Sequence, residues 1–486
     1  GGTTVEMKEG KLEGEDGNKT ASAYRPFTGV FTAPKAKDTV QKLGTITVYG
    51  SWGQFSESKR GGSVTVNKLV YLPPPAPDDG SKVGNLAEVT ARYAVTRPAK
   101  NSWTYPPPTS YFLPKGTRDL IVGEEKADGT VKYYDLASGL RVEAADVKVV
   151  TALDPRANRI EGMAFGRDGV YATLVLQMTR PIPYTVGESP IEYHTGEKDP
   201  TLNFHVKRYS AKTISITFPY ANTVPDISGV EQSGMFTAAR WEKINKFGDV
   251  QGMILHLTLK QEGGFLGVIP LYEGGKLTLR FTAPPSLSAA DNDYGYRLEG
   301  VHVSLGIGHG VNEKGQRDPG AINGNVTERS LNEAVAAKVK QELERLGATV
   351  YVTDSSYGNG NKLSLEDRFE DAKNGKPHVY IEIHHNAGSA TASGVEAYYY
   401  STFSSDLARQ VAKGVAAKTG LPNRNQASYG DKAFRRYAVT RNQYFPSILV
   451  ECGFMSNQNE LEKLLTEDFQ QNIANGIVQG IIDFLK

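Results

Sequence analysis

Cysteine is almost missing from this 486-residue chain, with Cys452 standing alone. No intramolecular disulfide framework is therefore available, and no cysteine pair exists to build a thiolate metal site. Any bound metal would have to rest on histidines and carboxylates. Long apolar runs are missing too: no stretch approaches the ~20 apolar residues that a membrane-spanning helix needs. The opening Gly1-Gly2-Thr3-Thr4 has neither an initiator Met nor a basic and apolar signal segment. The expectation is a trimmed chain with Gly1 as a tag scar. An excess of one charge is also lacking. With 55 Lys and Arg against 54 Asp and Glu, the net charge is +1, which gives no reason to expect a nucleic acid or an anionic membrane as partner.

What the chain does have is length and segmentation. At roughly 100–200 residues per domain it should be modular, with three or four domains. Residues 1–22 are polar and read as a flexible lead-in. Strand-like runs such as Gly44-Thr45-Ile46-Thr47-Val48-Tyr49 mark a β-rich module of unassigned role over 23–104, broken at Pro73-Pro74-Pro75-Ala76-Pro77. Short strands around Asp119-Leu120-Ile121-Val122 and Lys132-Tyr133-Tyr134-Asp135-Leu136 predict a small barrel over 105–150. From 151 to 284, period-two runs such as Thr213-Ile214-Ser215-Ile216-Thr217-Phe218 predict a β-sandwich. A Ser-, Ala- and Asp-rich stretch at 285–297 reads as a linker, so 298–486 should be autonomous.

Past the linker, strands alternate with amphipathic helices. The fold class expected there is α/β, a twisted sheet flanked by helices. Strands are predicted at 301–305, 349–352, 378–383, 395–400 and 447–450. Leu331, Val335, Val339 and Leu343 fall four apart on one face of a helix over 327–346, and further helices are predicted at about 404–419 and 467–485.

Five of the eight histidines lie after residue 300. His309 sits in a Gly-His-Gly loop after the first strand, His384 ends the strand Tyr380-Ile381-Glu382-Ile383, Glu451 ends Ile448-Leu449-Val450, and Glu328 opens the long helix. Strand ends are the usual ligand-bearing edge of an open α/β sheet. Two imidazoles and a carboxylate make a common catalytic zinc set, and a further carboxylate can serve as base. Taken singly each residue has a blander reading: a turn, a hydrogen-bonded histidine, or an acid favouring the helix macrodipole. Glu451 is the oddest, because a carboxylate closing an apolar strand is rarely left unpartnered.

Their order decides. Gly308-His309-Gly310, Asp318-Pro319-Gly320-Ala321, Glu328, Glu382-Ile383-His384-His385-Asn386 and Leu449-Val450-Glu451-Cys452-Gly453-Phe454-Met455-Ser456-Asn457 resemble, in sequence, the motifs of the zinc-dependent N-acetylmuramoyl-L-alanine amidases of the AmiC-like class. The resemblance covers nearly all of 300–486. It implies that His309, Glu328 and His384 hold one zinc ion, that Glu451 is the general base, and that peptidoglycan is the partner, cut between muramic acid and L-alanine. Arg441 and Asn386 become the expected substrate-side groups, and a bacterial envelope or secreted location follows. Upstream, Tyr133-Tyr134-Asp135-Leu136-Ala137-Ser138-Gly139-Leu140 resembles bacterial SH3-type modules, and 151–284 resembles the AMIN domains that hold such enzymes on the envelope.

Two departures stand out. The family has Asp-Pro before its Gly-His-Gly, where this chain has Gly306-Ile307, and the loop from Val311 to Arg317 is longer than usual. Strand alternation allows only one of His384 and His385 to face a metal, and the motif selects His384. Two alternatives remain open: a cysteine hydrolase built on Cys452, and a degenerate wall-binding protein. Between Asn386 and Ser447 one ordinary amphipathic helix and no site-plugging helix is visible, which points to constitutive activity.

Overall fold

The computed structural model describes residues 83–98, 112–155, 158–193, 206–247, 250–312, 314–355, 363–424 and 437–486, together with the backbone of four earlier strands. The chain divides into two units, residues 1–73 and 74–486. Of the first unit only strand backbone is described, chiefly the antiparallel hairpin of Gln41–Trp52 and Phe55–Val66. The 1–22 lead-in and the Pro73–Pro77 break otherwise lie outside the described residues.

The second unit begins with a sheet of six strands spanning Val83–Val89 to Val147–Leu153. Its interior is small: Ala87, Val89, Leu113, Leu136, Leu140 and Val142 are buried together. Residues 158–282 then form two sheets of five and four strands. Alternation accounts for them, since in Tyr171–Met178 the buried positions Ala172, Leu174, Leu176 and Met178 recur every second residue. Their inward faces share one hydrophobic cluster that continues without a break into the C-terminal region. The stretch expected to be a linker is a short hairpin of Ser288–Ala289 with Tyr296–Arg297. Tyr294 in its turn hydrogen-bonds Asn475 at 3.1 Å and lies under the Arg345 guanidinium.

The C-terminal region is built on β1 (His302–Ile307), β2 (Thr349–Thr353), β3 (Val379–Asn386), β4 (Glu396–Tyr399) and β5 (Ser447–Phe454). Their order is β2-β1-β3-β5-β4, parallel except for the antiparallel edge strand β4. The helices are α1 (Glu328–Arg345), α2 (Leu365–Ala372), α3 (Ser405–Thr419), α4 (Gln458–Leu464) and α5 (Glu467–Leu485). The α1 stripe foreseen from its spacing is buried, Leu331, Val335, Val339 and Leu343 all included. Thr327 caps it, its hydroxyl accepting from the Ser330 amide. Helices α3 and α5 cross almost backbone to backbone, because Gly414, Gly476 and Gly480 present no side chains there. Two helices were not foreseen, α2 and α4. Each follows a residue whose side chain caps its first turn, Ser364 and Asn457 respectively. No helix among the described residues is long and apolar enough to cross a membrane.

Candidate metal and catalytic site

Parallel strands β1, β3 and β5 deliver their C-terminal ends to one edge, where the order of connections switches sides of the sheet. Residue His384 of β3 is in register with Glu451 of β5, and the loop after β1 carries His309 back over them. Glu328, first residue of α1, closes the set. Ligand atoms of His309, Glu328 and His384 lie within 4.8 Å of one another.

The Glu328 carboxylate sits between the two rings. Its Oε2 is 3.0 Å from His309 Nε2 and its Oε1 is 2.8 Å from His384 Nδ1. Each imidazole has a second carboxylate on its far nitrogen. Asp318 Oδ2 is 3.0 Å from His309 Nδ1, and Glu382 Oε1 is 3.9 Å from His384 Nε2. Burial of Glu328 works against its charge, yet the two imidazoles overcome it and hold its carboxyl far below the usual range. Reciprocally, burial opposes the His384 cation, but Glu328 and then Glu382 raise that pKa to about 10. The arrangement fits a divalent cation: two nitrogens and one buried anionic oxygen converge, with a carboxylate behind each ring to set its orientation.

Backbone geometry makes room for this. His309 has φ 65°, the left-handed region, which costs a non-glycine residue on the order of 1–3 kcal/mol. Two arginines hold the loop there. Arg329 Nη1 donates to the carbonyls of Ile307 (2.9 Å) and His309 (3.2 Å), and Arg368 donates to the same pair at 2.8 and 2.6 Å. A Cβ at Gly308 would stand 2.5 Å from the His384 ring, and one at Gly320 would stand 2.6 Å from His309 Cδ2 and 2.7 Å from Glu328 Oε2. Both glycines are required by close approach. The long loop is a β-hairpin, Gly310–Val311 against Arg317–Asp318, and it is this hairpin that carries Asp318 to His309.

Glu451 lies beside the cluster. Its Oε2 is shut away from solvent and has no hydrogen-bond partner among the described residues. Burial, with help from Glu328 and Glu396 and against the pull of His384, pushes its pKa up to about 7. Such a group exchanges protons readily near neutral pH.

A model of the N-acetylmuramoyl-L-alanine amidase family matches residues 303–483. The uncharacterized protein YqiI of Bacillus subtilis is 32% identical over 205 residues, covering 42% of this chain and 91% of that protein. The chain belongs to the N-acetylmuramoyl-L-alanine amidase family. The germination-specific N-acetylmuramoyl-L-alanine amidase of B. subtilis is 28% identical over 201 residues, 38% of this chain and 81% of that protein. Among solved structures, the catalytic domain of the amidase CwlV from Bacillus (Paenibacillus) polymyxa var. colistinus is 33% identical and covers 38% of this chain and 97% of its own, with a TM-score of 0.33.

Within this amidase domain the remaining expectations divide. His385 points away from the cluster as alternation requires: it is 1% exposed and its Nδ1 is 2.8 Å from Asn332 Oδ1 on α1. Asn386 is engaged inside the protein, its Nδ2 donating to Glu396 Oε2 at 3.1 Å. Arg441 follows a short 3-10 turn in the loop before β5. Cys452 is fully buried, and burial pushes its thiol well above its ordinary pKa, which removes the basis for a thiolate nucleophile. Among the described residues between Asn386 and Ser447 the one long helix is α3, packed chiefly on α5; residues 425–436 lie outside the described residues.

Four residues at this site had no assigned role in the sequence reading: Asp318, Arg329, Arg368 and Glu382. Asp318 lies inside the Asp-Pro-Gly-Ala motif, which by itself implies no contact with His309. For Glu382 a signal was present. It is a charged residue in an apolar strand, the same oddity that singled out Glu451.

Proposed function

We propose that this domain hydrolyses the amide between the lactyl group of N-acetylmuramic acid and the L-alanine of the stem peptide, with a zinc ion held by His309, Glu328 and His384. The carrying observation is the convergence of those three side chains beside a carboxyl, Glu451, that has an unpartnered buried oxygen and a pKa near neutrality. A zinc ion bound there supplies Lewis acidity, polarising a carbonyl oxygen and acidifying water. Glu328 holds both imidazoles toward one point, while Asp318 fixes which nitrogen of His309 carries the proton. Glu451 takes a proton from the attacking water and returns it to the departing L-alanine amine. Its partial burial beside Glu396 keeps it protonatable enough to act as acid in the second half.

The same reading places the enzyme's work in the bacterial envelope. It keeps Arg441 as a candidate for a stem-peptide carboxylate, through a bidentate pair, and Asn386 as a candidate for substrate contact after release from Glu396. The six-stranded sheet and the paired sheets upstream are read as envelope-holding modules, of SH3 and AMIN type, on the sequence resemblances given above.

Purified muropeptides incubated with the protein should yield peptides with a free L-alanine amino terminus and intact glycan, as read by mass spectrometry. New reducing sugar ends would indicate a glycosidase instead, and cuts within the stem a peptidase.

A further inference from the structure

Gly306 and Glu382 face each other across the parallel pair β1 and β3, in direct register. Their side chains share one space. A Cβ at Gly306 would overlap the Glu382 carboxylate and the Tyr380 hydroxyl, so the residue on β1 must be glycine as long as the residue on β3 is glutamate. Where the family pattern has an acid and then proline before its Gly-His-Gly, this chain has Gly306-Ile307. On β3, Glu382 stands two residues before His384.

The Glu382 carboxylate does three things there. It is 1% exposed, and its Oε1 is 2.9 Å from Arg368 Nη1, itself in a 3% exposed side chain. Its Oε2 accepts from Tyr380 Oη. Its Oε1 also faces His384 Nε2 at 3.9 Å, the nitrogen opposite the one that meets Glu328. Alternation puts Tyr380, Glu382 and His384 on one face of β3. Arg368 in turn donates to the carbonyls of Ile307 and His309. One buried carboxylate therefore faces the ring of one ligand at 3.9 Å and reaches, through a single guanidinium, the loop that carries the other. Each imidazole lies between Glu328 and a second carboxylate, Asp318 at 3.0 Å from His309 and Glu382 farther off, at 3.9 Å from His384.

Building on the amidase reading, we propose that Glu382 is a positioning residue for the metal site, supplying from β3 the carboxylate that orients His384 and anchors the His309 loop through Arg368. The space it fills accepts one carboxylate from either strand, and the residues at 306 and 382 are therefore interchangeable only as a pair.

The test uses the full chain and two readouts that need no turnover: zinc affinity by competition with a chromophoric chelator, and the visible spectrum of the cobalt-substituted protein. Glu382→Gln should weaken zinc binding by about 10- to 100-fold and alter the cobalt spectrum. Gly306→Asp combined with Glu382→Ser should return affinity to within about threefold of the unaltered protein, with its spectrum. Gly306→Asp alone should fold poorly or lose the metal, because the two carboxylates overlap. Unchanged affinity and spectrum in Glu382→Gln would overturn the proposal. If that variant does not fold, the paired exchange decides alone, and a pair that fails to fold, or folds and binds zinc no better than the weakened single variants, overturns it. An unaltered protein that binds no zinc would instead sink the amidase reading itself.

Discussion

His384 and His385 are chain neighbours with opposite surroundings, one facing Glu328 Oε1 at 2.8 Å and the other Asn332 Oδ1 at 2.8 Å. Removing each should have a different consequence. His384→Ala takes away one of three protein ligands, so bound zinc and hydrolysis should both collapse. His385→Ala leaves a small cavity, costing on the order of 1–3 kcal/mol of stability, and should retain the metal. Elemental analysis with denaturant unfolding of both variants separates the two effects, and equal zinc loss in both would count against the assignment. This choice was legible in the sequence because strand alternation allows only one of the two to face a metal and the motif order selects His384. The roles of Arg329 and Arg368 were not, because both act on backbone carbonyls of a loop whose position only the folded chain reveals.

At the scale of elements, α1, α3 and α5 were legible because each is long enough for its apolar stripe to repeat over several turns. Helices α2 and α4 have eight and seven residues, about two turns each, too short for periodicity to speak. Their caps, Ser364 with Asp367 and Asn457 with Glu460, were the available signal. The hairpin from Gly310 to Asp318 has two-residue strands and no periodicity to read. Two glycine substitutions test how these elements meet. Gly308→Ala should displace the His384 ring and lower zinc affinity by about tenfold or more, with the unfolding midpoint little changed. Gly480→Ala should do the reverse. Its Cβ would collide with the α3 backbone at Val411, costing about 1–3 kcal/mol or more by overpacking, while zinc affinity in the folded fraction stays unaltered. A reversal of that pattern would show that loop and helix crossing are not separate supports.

At the scale of the molecule, the expectation of an autonomous 298–486 domain meets a continuous interior. Phe265 packs edge-on against Phe403 at 5.2 Å, the Val268 amide donates to the Gln443 carbonyl at 2.8 Å, and Tyr93 and Phe112 stack beside Phe369 of α2. Sequence periodicity shows that a strand has an apolar face but not which distant face covers it, so these contacts were invisible beforehand. We expect residues 74–486 to unfold in one transition, and a fragment of 298–486 to be markedly less stable than that unit; equal midpoints in calorimetry would restore the independent domain. A second test concerns Asp119, which is buried and accepts from Tyr220 Oη at 2.5 Å, from one sheet system to the next. Burial raises its pKa to about 6, against the usual 3.8, while its hydrogen bonds pull the other way. Between those values the folded chain holds a proton that the unfolded chain has released, so this group's contribution to stability falls as pH rises from about 4 to about 6. Asp119→Asn should flatten that slope in urea midpoints, and an unchanged slope would assign it elsewhere.

Metal binding and proton transfer are assigned to different residues, and Glu451→Gln addresses that division directly. The variant keeps the shape of the side chain and removes its basic carboxylate. Zinc measured on the folded protein should remain at the level of the unaltered chain, while muropeptide hydrolysis falls by about 10²-fold or more. Near-normal hydrolysis with zinc in place would contradict the role given to Glu451 and leave the family relationship without this mechanism.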